Sequence, residues 1–435
     1  MPARRGGEPV VDVTPTAGTR GGGGTITPVP QTLVTRDDVE AARAALDGVV
    51  RRTPVEPSRV LAASAGGPVR LKCENLQRTG SFKIRGAYRR IQRLDDAERA
   101  RGVVAASAGN HAQGVALAAG LLGTHATVFM PAGAPLPKLA ATRGYGADVR
   151  LVDTFDATLG AARDFAERTG AVLIHPFDHP DVVAGQGTVG LEILEQVPDA
   201  ATVVVCTGGG GLVSGIAAAL AGTGVRVVGA QAEAHAAWPP SLAAGEPVTV
   251  GGATIADGIA VPRPGDLTFA QVRAQVDEIV TVSEEALARA VLQSLERGKL
   301  LVEPAGAAAV AAVAEYPGRW PTPVVAVLSG GNVDPLMLDE IVRRGMAAAG
   351  RYATLRVRLP DRPGYLADLL AHVGRLGGNV VDVDHRRLEA SSDLGPLGLG
   401  AVEVALTLEA RGHDHRSAMV DALREAGYAV AEGAA

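Results

Sequence analysis

Lys83 stands in the stretch TGSFKIRGAYRR, between a turn and the start of a helical pattern. The chain is sparing with lysine: of its 42 Lys and Arg residues, only Lys72, Lys83, Lys138 and Lys299 are lysines. An ε-amine can condense with an aldehyde, whereas a guanidinium cannot. Lys83 therefore reads either as an amine kept for chemistry or as an ordinary surface cation. A second stretch, CTGGGGLVSG, sets Gly208, Gly209, Gly210 and Gly211 between an apolar run and a helical pattern. Glycines there let backbone N–H groups approach an anion, and a helix N-terminus adds its dipole. The other reading is a flexible turn, but four successive glycines are costly for a turn alone. No Lys-Ser/Thr pair follows, so this is not a P-loop, and the spaced glycines and downstream acid of a dinucleotide fingerprint are not evident. An amine and a phosphate cradle in one chain suggest pyridoxal phosphate.

The elements that must position these groups alternate. Apolar runs such as VRLKC, GVVAASA, ATVFM, ADVRLV, TVVVC, VRVVGAQ and PVVAVLS are separated by helical patterns, as expected of parallel sheets covered on both faces. In such folds ligands sit beyond the carboxyl ends of strands, and the loops there read SAGN, TGGGG and SGGN. After Gly350 the order becomes β-α-β-β-α-β, the ferredoxin-like plan. The expected organisation is a disordered tail over 1–33, a catalytic domain over 34–350 and a ferredoxin-like domain over 351–435. The tail is rich in Gly, Pro and Thr and has no apolar segment of a secretory signal. Net charge is −5 with both signs interspersed, and no run is long and apolar enough to span a bilayer. These features argue against nucleic-acid and membrane partners. Cys73 and Cys206, the two cysteines, cannot build a disulfide framework and read as small buried hydrophobes. A cytoplasmic location is expected.

The motifs TGSFKIRGA, SAGNHAQGVA, TGGGGLVSG, VEPAGA and LSGGNVD, in that order over about residues 35–345, resemble the fold-type II pyridoxal-phosphate enzymes, and most of all the threonine ammonia-lyases. The resemblance implies a two-lobed catalytic domain like the tryptophan synthase β subunit. It makes Lys83 the Schiff-base lysine and the base for the Cα proton, with Phe82 against the cofactor ring. Asn110 would bond the pyridoxal 3-hydroxyl, Gly208–Gly211 and the Leu212 backbone the phosphate, and Ser329 the pyridine nitrogen. Ser107, Gly109, Asn110 and His111 would shape the substrate carboxylate site. Glu303 is left open between a place near the ring and a plain helix-N-terminal carboxylate. The reaction implied is dehydration and deamination of L-threonine to 2-oxobutanoate, and of L-serine to pyruvate.

A serine-preferring dehydratase is the nearest rival. Serine racemases of this family place a serine where this chain has Ala108, which argues against racemisation. Threonine synthase and cysteine synthase relatives differ around the lysine, and a catalytically dead amino-acid sensor sits poorly with intact motifs. Gln231 stands where some relatives have a carboxylate ligand, so no divalent metal site is expected, and a monovalent cation is left open. LPDRPGYLADLLAHVGRLGGNVVDVDHRR resembles an ACT domain, which implies an amino-acid effector near Asp361, Gly364 and Asn379 and a homodimer or homotetramer. A domain used only for dimer contacts is the alternative. Biosynthetic and catabolic roles both remain open.

Overall fold

In the computed structural model, which describes residues 11–12, 32–386, 394 and 400–433, the apolar runs are strands. In chain order they are β1 (Val11–Asp12), β2 (Val55–Pro57), β3 (Val69–Cys73), β4 (Val103–Ala106), β5 (Ala126–Pro131), β6 (Asp148–Val152), β7 (Val172–Leu173) and β8 (Thr202–Cys206). They continue as β9 (Arg226–Ala232), β10 (Glu278–Val282), β11 (Val324–Leu328), β12 (Tyr352–Pro360), β13 (Asn379–Arg386), β14 (Ala401–Glu409) and β15 (Ala429–Gly433). By contact density the chain divides into units 1–338 and 339–435. Apart from Val11–Asp12, which pair antiparallel with β10, the tail expectation falls outside the described residues up to position 31. The Gly-rich stretch SSDLGPLGLG, expected from its composition to be a turn, lies mostly outside them as well.

The first unit holds two sheets. One has the order β1-β10-β9-β8-β11-β3-β2, with parallel pairing from β10 through β3. The other, β6-β5-β4-β7, is wholly parallel. Strands β8 and β11 are buried at every position, as continuous apolar runs covered on both faces should be.

Three helices behind these sheets pack with their backbones in contact. Pro180–Gln196, not foreseen in the sequence, runs against Lys83–Gln92 and Gly211–Leu220. A Cβ on Gly185 would lie 2.6 Å from Arg85 O, one on Gly187 2.5 Å from Gly215 O, and one on Gly86 2.8 Å from Val182 O. Glycine is thus required by the close approach, at the expense of helix propensity. The same junction buries an ionic cluster. Arg85 donates to both Glu74 oxygens (2.9 and 2.7 Å), to Glu192 (2.7 Å) and to Thr188 (3.1 Å). Lys72 Nζ donates to Glu192 (2.5 Å), Gln196 (2.8 Å) and Thr53 O (2.9 Å). The helix that begins at Lys83 is therefore fixed two residues further on, by Arg85.

The second unit is an antiparallel sheet, β13-β14-β12-β15, with helices Tyr365–Arg375 and His413–Glu425 between its strands in the β-α-β-β-α-β order. Strand β12 alternates: Leu355, Val357 and Leu359 are buried with Leu369, Val373, Val404, Leu406, Met419 and Leu423. Ala353, in the same phase, is buried too, while the intervening residues are more exposed, the period-2 pattern of a sheet packed on one side.

Candidate active site

Lys83 opens its helix directly after a turn in which Thr79 has φ 64°. A threonine held in the left-handed region is uncommon and marks a locally strained loop. The loop is tied to the end of β11: Phe82 N–H donates to Ser329 O (3.2 Å) and Ser81 bridges Gly330. Lys83 is partly exposed as a residue, yet its amine is enclosed and donates to Pro176 O at 3.0 Å. Burial lowers its proton affinity to about 8, with Cys206 and Glu303 pulling the other way. The Phe82 ring lies under the amine, its centroid 5.1 Å from Nζ.

Asn110 begins the helix after β4 and Glu303 caps the helix Pro304–Glu315. Asn110 Nδ2 donates to Glu303 Oε1 (2.5 Å), and Asn110 Oδ1 accepts from Asn332 Nδ2 (2.7 Å). Asn332 Nδ2 also donates to Thr79 O (2.6 Å). This chain fixes the Asn110 amide and leaves one of its two amide hydrogens uncommitted. Glu303 is raised to about 7, by burial first and then by Asp257. Asp257 is paired with Lys138 at 2.7 Å. Glu303 therefore heads a helix and is bonded to Asn110.

The glycine loop is braced from outside. Trp238 Nε1 donates to Gly208 O and Thr268 Oγ1 to Gly209 O, each at 2.6 Å. Gly210, at φ 96°, leads into the helix Gly211–Leu220. Among the described residues no backbone carbonyl accepts from Gly208 through Val213. Sequence reading missed Trp238 and Thr268, because nothing local to them marks a role fulfilled 30 and 59 residues away. Asn332 lies in the SGGN loop and was within reach of a closer reading of that motif.

Ser107 Oγ accepts from Gly109 N–H (3.2 Å), shaping the loop before Asn110, and a Cβ on Gly109 would meet open space. His111 is buried and donates from Nε2 to Ile174 O (2.8 Å). Burial and Lys83 depress it to about 3, so the ring is neutral. Its firm contact is with the backbone, and what it gives the site is support for the helix start. Ser329 is buried with Cys206 Sγ at 3.1 Å. Cys73 is buried and donates to Leu71 O, as a small buried hydrophobe would.

The residues fit pyridoxal phosphate. The chain offers an enclosed amine, loop N–H groups without a backbone acceptor and a buried serine hydroxyl, and the Thr79 and Ser81 hydroxyls beside the lysine are buried without partners among the described residues. Gln231 is fully buried, and its Oε1 accepts from Trp238 N (3.0 Å). Among the described residues no three His, Cys, Asp or Glu side chains group closely enough to hold a metal ion. A groove of about 370 Å³ lined by Pro57, Arg59, Leu71, Gln293 and Val310 shares no residue with this site.

In the second unit Asp361 and Gly364 follow the end of β12, with Gly364 at φ 96° heading the helix. Asn379 starts β13 opposite Glu409, which pairs with Tyr352 at the beginning of β12. Its Nδ2 donates to Glu409 (3.3 Å). One copy of the unit therefore places Asn379 at the opposite end of the sheet from Asp361 and Gly364, and does not bring the three together.

Fold and site together define an enzyme that depends on pyridoxal phosphate. The chain belongs to the pyridoxal-phosphate dependent enzyme family, which it matches over residues 46–330. It is similar to L-threonine ammonia-lyase of Thermotoga maritima, 47% identical over 402 residues that cover 92% of this chain and 99% of that one. Among solved structures it is similar to a threonine deaminase from T.th., with a TM-score of 0.66 and 42% identity over 69% of this chain and 99% of that one. Maize serine racemase matches with a TM-score of 0.67 and 38% identity over 71% of this chain and 97% of that one. Among the described residues no helix is long and apolar enough to cross a membrane.

Proposed function

We propose that the protein is an L-threonine ammonia-lyase, converting L-threonine to 2-oxobutanoate and ammonia and L-serine to pyruvate. The observation that carries this is the enclosed Lys83 amine, lowered to about 8, in a chain whose glycine loop has N–H groups without a backbone acceptor among the described residues. Bound pyridoxal phosphate supplies an electron-withdrawing ring conjugated to the substrate nitrogen, which acidifies Cα. Lys83 would take the Cα proton; its lowered affinity leaves a useful neutral fraction near pH 7–8. The β-hydroxyl leaves with a proton as water, and the unsaturated amine hydrolyses to the oxo acid. The N–H groups of Asn110 and His111, at a helix N-terminus, receive the substrate carboxylate. The Ser107–Gly109 turn leaves room for it. Gly208–Gly211 and Leu212 hold the phosphate, Asn110 the ring hydroxyl and Ser329 the ring nitrogen. A serine can donate a hydrogen bond there but cannot stabilise a full positive charge as a carboxylate would. That suits prompt loss of a β-hydroxyl.

The second unit regulates the first through an amino-acid effector, isoleucine or valine. Because Asn379 and the Asp361–Gly364 turn lie at opposite ends of one sheet, an effector touching both needs two copies side by side. This supports a homo-oligomer.

The test is a coupled 2-oxo acid assay with L-threonine and L-serine, run beside Lys83→Ala. The variant should lose the cofactor's visible band and turnover together while its circular dichroism persists. Normal turnover in it would sink the assignment of Lys83, and absence of oxo acid from either substrate would sink the activity. With Ala108 beside Gly109, chiral analysis should find no D-serine accumulating at a rate comparable to pyruvate.

A further inference from the structure

Cys206 ends β8, and Ser329 follows directly on β11, the strand hydrogen-bonded beside it. The two carboxyl ends carry the two extremities of the cofactor site, since β8 runs into the glycine loop and β11 into the SGGN loop. Cys206 Sγ and Ser329 Oγ are 3.1 Å apart, and the residues are 5% and 3% exposed. Burial pushes the thiol up to about 11, so it keeps its proton at neutral pH.

Either group of such a pair could donate, and the remaining partner of the hydroxyl decides which does. Ser329 Oγ has no other hydrogen-bond partner among the described residues. On the reading above, its open side meets a pyridine nitrogen, which accepts. If Ser329 gave its proton to sulfur, its lone pairs would face the lone pair of the nitrogen. With the thiol donating, the serine proton is free to point into the site. A hydroxyl that accepts one hydrogen bond is also polarised into a better donor of the next. Cys73 provides the contrast: also buried, it donates to a backbone carbonyl of its own strand.

We propose that Cys206 is a positioning residue for the reaction: its thiol donates to Ser329 Oγ and so holds that hydroxyl as a donor toward the ring nitrogen, an assignment that rests on the role given to Ser329 above. The experiment compares Cys206→Ala, Cys206→Ser, Ser329→Ala and the Cys206→Ala/Ser329→Ala double variant. The readouts are kcat and KM, the pH at which the visible band of the bound cofactor titrates, and the affinity of the apoprotein for pyridoxal phosphate. Cys206→Ala should lower kcat about 3- to 10-fold, the worth of one modest hydrogen bond, with KM changed by less than about 2-fold. It should also displace the titration of the band. Cys206→Ser keeps a donor and should restore both. The double variant should be no worse than Ser329→Ala, because the thiol acts through that hydroxyl. In the apoprotein, the S–H infrared stretch of Cys206 should move when Ser329 is replaced.

A Cys206→Ala enzyme with unaltered kcat and band titration overturns the proposal, while a defect in Ser329→Ala leaves the reading of Ser329 standing. If Ser329→Ala is itself indistinguishable from wild type, both fall. A Cys206→Ala loss confined to cofactor affinity and not restored by serine makes Cys206 a packing residue and also overturns the proposal.

Discussion

Glu303 holds its proton to about pH 7 because burial and Asp257 both oppose its charge, and this sets a sign for the effect of pH on stability. Below its ordinary value of 4.5 the carboxyl is protonated in folded and unfolded chains alike. Between 4.5 and 7 the folded protein retains a proton that the unfolded chain has released, so stability falls as pH rises through that window. Above 7 the group is ionised in both states and the loss is complete, on the order of 3 kcal/mol. Glu303→Gln should keep a partner for Asn110 and lack this slope. Urea unfolding of the apoprotein at about pH 5 and about pH 7.5, on either side of most of that window, checks it: wild type should lose more stability than the variant between the two. An equal slope in both would place the titration elsewhere.

Among the elements, the glycine contacts behind Lys83 are the most exacting. A Cβ on Gly215 would lie 2.6 Å from Gly187 N, with backbone rather than a flexible side chain in its way. Gly215→Ala should therefore destabilise by about 1–3 kcal/mol or more, and weaken pyridoxal phosphate binding, because the displaced helix begins at the phosphate loop. Thermal unfolding and cofactor titration would test it; an alanine variant with unchanged cofactor affinity would mean that the loop is positioned independently of the packing. The same contacts explain what could be read from the sequence and what could not. Strands such as TVVVC and PVVAVLS announce themselves, since strands buried on both faces are continuous apolar runs. The loops after them carry their chemistry in a few adjacent residues. Helix Pro180–Gln196 does not announce itself: Gly185, Gly187 and Gly190 lower its propensity, and their reason lies on other helices. β7, with two residues, is too short to leave a pattern. Asn110 and Glu303 were each visible, but their bond spans 193 positions and no local period encodes it.

For the whole molecule, the test concerns the regulatory role proposed for the second unit. Truncation after Gly350 should abolish a response to isoleucine or valine that the full-length enzyme shows, a coupling of about 5-fold or more in effector sensitivity. Kinetics with each amino acid, and with threonine, measure it. A full-length enzyme indifferent to all of them, with truncation leaving rate and oligomer size unchanged, would assign the unit another role. The strand order of the first unit also bears on how the protein is born. β11 lies between β8 and β3, so the sheet stays in two pieces until residues 324–328 are available. At translation speeds of about 5–20 residues per second, β3 waits roughly 12–50 s for that neighbour. Lys83 and Ser329 stay unacquainted for as long. Ribosome-arrested chains ending before Val324 should therefore be protease-sensitive and colourless with pyridoxal phosphate, and chains in which β11 has emerged should turn yellow. During synthesis, the arrival of one short apolar strand decides when a string of motifs becomes a catalyst.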